Sequence, residues 1–272
     1  MDIKNELNKN GFRFQKRFGQ NFITDKNFLK SIVEKSGVTA DDTVVEIGAG
    51  AGTLTAAIAE KAKRVIAFEI DTSLEPVLKN TLSEFDNVEL IFGDFMQAKD
   101  VSETACGDYK VIANLPYYIT TPVLFKLMED TAVLPKTISV MVQKEVADRM
   151  CAKPSTKDYG ALTVAIDARF SVKKLVNVSR DMFCPVPNVD SAVVLMTAKD
   201  VGESVDKKKF SALVRAAFAM RRKTLANNLT AAFSLSRTAC EEALEKCGLP
   251  LAVRGEALST QQFEMLAKTL FA

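Results

Sequence analysis

The chain contains no histidine. That excludes a Ser-His-Asp triad, a Cys-His pair and any histidine metal ligand. Chemistry near neutral pH is left to carboxylates, Lys, Tyr, Cys, or a mechanism that needs no strong base. Cysteine is scarce: Cys106, Cys151, Cys184, Cys240 and Cys247 form no CxxC pair and are odd in number, so they suggest neither a zinc site nor a disulfide framework. They read as reduced core thiols, and no metal is expected. No apolar run approaches the roughly 18 residues of a membrane span. The N-terminal stretch is polar and basic, without the apolar core of a secretory signal. A cytoplasmic location with no membrane partner is the expectation. The net charge is only +2, so any nucleic-acid surface must be local.

What is present is ordinary for a folded protein: 47% hydrophobic and 26% charged residues over 272 positions. At roughly 150 residues per domain this allows one or two domains. Residues 1–20 carry Lys4, Lys9, Arg13, Lys16 and Arg17 with Phe12, Phe14 and Phe18 between them. Such an arm either clips to the body through its phenylalanines or touches nucleic acid.

From residue 22 the pattern becomes regular. Phe28, Ile32 and Val33 have helical spacing, ending near Gly37. Strands are predicted at 43–47, 64–69, 88–92, 110–113 and 138–142. Helices are predicted at about 53–61, 74–82 and 122–128. Alternation at this spacing implies βαβ units and a parallel sheet. Residues 170–178 and 191–197 look like strands joined by the proline-bearing loop Phe183-Cys184-Pro185-Val186-Pro187, an antiparallel pair at one sheet edge. Beyond a polar linker near residue 200, helical spacing at Phe210, Leu213, Val214, Ala217 and Phe218 is followed by helices at about 223–233, 237–246 and 260–270. The reading is an α/β domain over 1–200, with its basic arm at 1–20, and a small all-α domain over 201–272.

The first strand runs into Glu46-Ile47-Gly48-Ala49-Gly50-Ala51-Gly52 and then a helix. Glycines such as Gly48 and Gly50 let the backbone turn tightly and let a ligand approach the main chain. Glu69 ends the next strand, 21 residues after Gly48, where a carboxylate can accept both ribose hydroxyls of an adenosine. Asp94 ends the third strand and can reach an adenine amine. NAD shares the glycine turn and its acid, and Glu69 could instead be a capping or salt-bridged surface acid. The GxGxG spacing and the carboxylate at Glu46 disfavour a pyrophosphate and favour a cationic ligand with an amino-acid head. S-adenosylmethionine is such a ligand.

The fourth strand ends in Asn114-Leu115-Pro116-Tyr117. Ligands sit at that end of open parallel sheets. Asn114 and the Leu115 carbonyl can accept hydrogen bonds from an exocyclic amine, with Pro116 fixing the turn. Tyr117 can stack on a base, worth roughly 1–3 kcal/mol. The plainer alternative is an ordinary turn with a buried tyrosine.

With these segments the sequence resembles the ribosomal RNA adenine N6-dimethyltransferases, in particular their bacterial small-subunit (16S) branch. The resemblance runs over nearly the whole chain. It rests on Phe18-Gly19-Gln20-Asn21-Phe22, Val45–Gly50, Phe68-Glu69-Ile70-Asp71, Gly93-Asp94, Asn114–Tyr117, Gln143–Val146, Tyr159-Gly160, Phe183 with Pro185 and Pro187, Val189–Val194 and Arg221–Leu225. It implies a Rossmann-like class I methyltransferase with a seven-stranded, mostly parallel sheet. Implied cofactor contacts are Asn21, Ile23, Gly48, Glu69, Asp94 and Asn114, for S-adenosylmethionine and its product S-adenosylhomocysteine. Phe183 becomes the second stacking wall opposite Tyr117. Ala49 and Ile23 stand where the family often has proline and leucine, and both keep shape and apolarity.

The implied reaction gives N6,N6-dimethyladenosine at two adjacent adenosines near the 3′ end of 16S rRNA, by a monomer acting on a small-subunit assembly intermediate. Residues 207–223 hold Lys207, Lys208, Lys209, Arg215, Arg221, Arg222 and Lys223 and no acid. They can neutralise RNA phosphates, or form merely a solvated helix face. Lys144, Arg149, Lys153 and Lys157 could extend that footprint. A relative that methylates large-subunit rRNA, a non-catalytic RNA-binding assembly factor and a nicotinamide dehydrogenase are the other readings. The intact Asn114–Tyr117 segment speaks against the second.

Overall fold

The computed structural model describes Phe12, Gln15, Gly19–Asp200 and Asp206–Phe271. The other positions of the basic arm, and residues 201–205 of the linker, lie outside the described residues. The chain divides into two compact units: residues through Ala147 with Lys173–Ala198, and Asp148–Val172 with Lys199 onward.

In the first unit β2 (Thr43–Ile47), β3 (Arg64–Glu69), β4 (Val88–Phe92), β5 (Tyr109–Asn114) and β6 (Thr137–Gln143) are parallel neighbours. The apolar runs of β2, β3, β5 and β6 are mostly buried, as a sheet covered on both faces requires, while β4, at the sheet edge, is only partly buried. The seven-stranded order is β4-β3-β2-β5-β6-β9-β7, with β7 at Phe170–Val178 and β9 at Ser191–Ala198. β9 runs antiparallel to β6, opposing Gln143 with Ser191 and Met141 with Val193. The antiparallel element is therefore set into the sheet beside β6, with β7 outside it at the edge. Chain order reverses between β2 and β5, the switch point where open sheets leave a crevice at the strands' C-terminal ends.

Helices α1 (Lys26–Lys35), α2 (Thr53–Ala59), α3 (Glu75–Thr81), α4 (Val101–Ala105) and α5 (Thr120–Glu129) accompany these strands. Asp25 caps α1 by accepting from the Phe28 N–H at 3.1 Å, and Pro76 occupies the first turn of α3, where no intrahelical N–H is lost. A second, two-stranded ribbon pairs β1 (Phe22–Ile23) with β8 (Phe183–Cys184). Two residues are too short for any period to announce them. Phe12 from the arm lies 6.2 Å, ring to ring, from Phe22.

The second unit packs α8 (Lys207–Ala219), α9 (Leu225–Phe233), α10 (Arg237–Lys246) and α11 (Thr260–Phe271) around Leu213, Leu229, Leu244, Phe263 and Leu266. Asp206, Thr224 and Ser236 cap the first three through the N–H groups of Lys209, Asn227 and Ala239. Each cap is worth about 1 kcal/mol. Helix α7 (Ala161–Asp167) belongs to this unit, and Tyr159 anchors its approach by donating to the Leu258 carbonyl at 2.7 Å. α6 (Lys144–Met150) and α7 were not predicted from the periodicity. The core-thiol reading holds for Cys240 and Cys247 but not for Cys106 and Cys151, which are exposed, or Cys184, which is half-buried.

Candidate functional site

Four strand ends and one short ribbon line a cavity of about 240 Å³ at the switch point. After β2 the chain turns with φ of +83° at Gly48 and +57° at Gly50, values that side-chain-bearing residues rarely adopt. The N–H groups of Gly48 and Ala49 both donate to the Phe68 carbonyl, at 2.9 and 3.0 Å, which ties the turn to β3. At Gly50 a Cβ would come within 2.8 Å of the Phe22 ring. The glycine admits both the turn and the aromatic lid laid upon it.

Glu69 is not a surface acid. It is buried, with Oε2 accepting from the Gly50 N–H at 2.7 Å and Oε1 from the Asp71 N–H at 2.8 Å. Burial pushes its carboxyl above the usual range, opposed by those backbone donors. The carboxylate is locked in orientation and keeps lone pairs for hydroxyl donors on the cavity side. Asp94, at the end of β4, lines the same cavity and is exposed; its Oδ1 accepts from the Met96 N–H at 2.9 Å.

Asn114, the last residue of β5, spends its Nδ2 on the Asn21 carbonyl at 3.0 Å, which leaves Oδ1 as its acceptor. Asn21 is itself held by donating to the Gly19 carbonyl at 3.1 Å. Gln20 and Gln15 both donate to the Asp71 carboxylate, at 2.7 and 3.2 Å, and the Ile23 carbonyl accepts from the Thr53 hydroxyl at 3.0 Å. Leu115, Pro116, Tyr117 and Phe183 complete the lining. Tyr117 shares a 2.9 Å hydrogen bond with the Ser191 hydroxyl, and Phe183 reaches the cavity through its pairing with Ile23.

Every proposed cofactor and base residue thus lines one cavity: Asn21, Ile23, Gly48, Gly50, Glu69, Asp94, Asn114, Leu115, Pro116, Tyr117 and Phe183. Its charged lining consists of Glu46, Glu69 and Asp94, with no Lys or Arg among the lining residues. Glu46 is fully buried, and neither carboxylate oxygen has a hydrogen-bond partner. Burial pushes its carboxyl up to about 8; Thr55 lies near enough to oppose the shift without reaching hydrogen-bonding geometry, and the Glu69 charge adds to it. Glu46 is thus held neutral near pH 7, and Glu69 and Asp94, with no Lys or Arg among the lining residues, suit a cation better than a pyrophosphate. Among the described residues no group of three or more Cys, Asp or Glu is placed to hold a metal ion.

The basic residues separate into two groups. Lys207, Lys208 and Lys209 open α8, and Arg215 lies two turns along it. Arg221, Arg222 and Lys223 follow its end, about 18 Å from its start at 1.5 Å per residue. All three are exposed. Arg221 pairs with Glu256 at 3.0 Å and donates to the Lys157 carbonyl at 2.6 Å. Arg221 and Arg222 share a shallow hollow with Lys157 and Arg254. Arg254 was missed because it lies 32 positions beyond Arg222 in sequence. Arg149 and Lys153 do not line the hollow. Among the described residues no helix is long and apolar enough to cross a membrane.

A family profile described as ribosomal RNA adenine dimethylase matches residues 11–268. The ribosomal RNA small subunit methyltransferase A of Bacillus licheniformis is 46% identical over 98% of this chain and 94% of its own length. The protein of the same name from Shouchella clausii is 44% identical over 98% and 93%. Among solved structures, a dimethyladenosine transferase from Plasmodium falciparum superposes with a TM-score of 0.77 at 26% identity, covering 90% of this chain and 95% of that one. The 23S rRNA methyltransferase ErmE gives a TM-score of 0.67 at 25% identity, over 92% and 100%.

Proposed function

The chain belongs to the ribosomal RNA adenine dimethylase family, and on that premise we propose that it transfers methyl groups from S-adenosylmethionine to N6 of two adjacent adenosines near the 3′ end of 16S rRNA. The substrate is a small-subunit assembly intermediate in the cytoplasm, and the enzyme works as a monomer without metal. Methyl transfer is assigned to residues 1–200 and RNA binding to 201–272, together with the 148–172 stretch that packs with the C-terminal helices. The observation that carries the chemistry is the orientation of Asn114: with Nδ2 committed to Asn21, Oδ1 stands as an acceptor beside Tyr117.

The residues present fit the donor. Glu69 is fixed to meet ribose hydroxyls, Asp94 to meet the adenine amine, and the carboxylate-lined, cation-free wall to tolerate positive charge. When bound, the donor supplies an activated methyl on a sulfonium. The chain's own work is positioning. The N6 lone pair of adenine is conjugated into the ring and is a poor nucleophile. Asn114 Oδ1 and the Leu115 carbonyl hold the amine hydrogens out of the ring plane and return density to nitrogen. Tyr117 and Phe183 stack on the two faces of a base that has left its helix. Orientation of this kind supplies roughly 7–11 kcal/mol at the most favourable. Once methylated, the nitrogen is acidic enough to give its proton to water, so no histidine base is required.

The test is Asn114→Ala under single-turnover conditions, with S-adenosylhomocysteine affinity measured in parallel. A fall in transfer of about 100-fold or more, with ligand affinity falling much less, is the expected result. Equal transfer by variant and wild type would refute the role. A second reading, methylation of large-subunit rRNA, gains support from the fold shared with ErmE. Mass spectrometry of both rRNAs after treatment with the enzyme decides between them.

A further inference from the structure

The Val189-Asp190-Ser191 segment has no part in the chemistry above, yet it bonds the first aromatic wall and the turn that leads into the second. Ser191 is fully buried at the start of β9, and its hydroxyl bonds the Tyr117 phenol at 2.9 Å. The neighbouring Asp190 side chain accepts from the Arg180 N–H at 3.0 Å. Arg180 opens the short turn Arg180–Met182, which runs directly into Phe183. The Asp190 carbonyl also accepts from the Lys144 N–H at 3.0 Å, so the dipeptide is anchored to the end of β6. One residue grips the tip of the first wall, and its neighbour grips the root of the second.

We propose that Asp190 and Ser191 form a positioning clamp that sets the plane and spacing of Tyr117 and Phe183, and thereby governs whether a base that has received one methyl receives the second. This rests on the adenine-dimethylating reading and deepens it. The unmodified amine offers two N–H donors to the two acceptors at Asn114 and Leu115. After one transfer a single N–H remains. The singly methylated base is then held less by hydrogen bonds and more by stacking, so an error in the walls weighs more heavily on the second transfer than on the first. Neither residue lines the cavity, so both act through the rings.

The experiment follows mono- and dimethyladenosine by mass spectrometry, on small ribosomal subunits lacking the modification, at matched first-methyl conversion. Ser191→Ala is expected to raise the mono-to-dimethyl ratio about fivefold, the effect of one net hydrogen bond on one step. S-adenosylhomocysteine affinity should stay within about twofold, since no cofactor contact is lost. Tyr117→Phe removes the same bond from the other side and should match it, and the double variant should be no worse than either single change. Asp190→Ala should raise the ratio as well, and Asp190→Asn, which keeps an acceptor for the Arg180 N–H, should restore it.

A loss of packing alone would slow both transfers together and leave the ratio unmoved, which would overturn the clamp. Additive effects of Ser191→Ala and Tyr117→Phe would also overturn it. If Ser191→Ala does not fold, Tyr117→Phe and the Asp190 pair carry the test. A wild-type enzyme that methylates no adenine would instead bring down the underlying reading, and the clamp with it.

Discussion

The cavity of the first unit and the hollow of the second have opposite electrical character. The cavity wall presents Glu69 and Asp94 without a cation, and Glu46 beside them is kept neutral by burial. The hollow presents Lys157, Arg221, Arg222 and Arg254 around a single acid, Glu256. A net charge of +2 conceals both. On the proposed function the difference has a simple cause, because the methyl donor is cationic and the RNA is a polyanion. The cavity's acids suit the positive charge of the donor, and the hollow's cations suit the phosphates of the RNA whose base is to enter that cavity.

The strongest way to break that contrast is to remove the fixed carboxylate. Glu69→Ala strips two backbone N–H groups of their acceptor and removes the ribose partner. S-adenosylhomocysteine affinity should fall about 100-fold by calorimetry, consistent with hydrogen bonds to a charged group. Unchanged affinity would dismiss Glu69 as a ligand. Next comes the basic side: Arg221→Ala, Arg222→Ala and Lys223→Ala together should lower the slope of log affinity against log salt by about 2 to 3, at roughly 0.7–0.9 per phosphate contact. A preserved slope would mean that these cations face only solvent.

Gly50→Ala sharpens the comparison by testing shape apart from charge. Its φ of +57° and the 2.8 Å approach to Phe22 should cost about 1–3 kcal/mol, read as a lower Tm and weaker cofactor binding. The smallest effect is expected from Glu46→Gln. Unfolded, Glu46 ionises near 4.5; folded, it holds its proton to about 8. Between those values the folded state binds more protons, so stability falls as pH rises and levels off above about 8. The Tm of the variant should gain on that of wild type as pH rises from 4.5 toward 8 and stay level above it. Parallel pH profiles would show that Glu46 does not titrate in this way.

That Glu69, Asp94 and Asn114 would meet at one end of the sheet was legible because it depends on local chain geometry. A glycine turn and acids at strand ends follow from alternation, and Glu69, Asp94 and Asn114 lie where the predicted strands end. What escaped reading is made by contacts between distant side chains or by segments too short to show a period. Nothing near Ser191 signals that its hydroxyl meets Tyr117, 74 positions earlier. The Phe22–Ile23 and Phe183–Cys184 strands hold two residues each. The 148–172 stretch groups with the C-terminal helices, across an intervening strand, because Tyr159, Val164 and Ala168 share a core with Leu213 and Leu258. Periodicity gives each helix its apolar face but does not name the partner.

That two-residue ribbon carries a kinetic consequence. Ile23, proposed to meet the donor, and Phe183, proposed to meet the acceptor base, are opposite rungs of one ladder. A substitution that frays it disturbs both half-sites at once, so the Michaelis constants for donor and RNA should rise and fall together across ribbon variants.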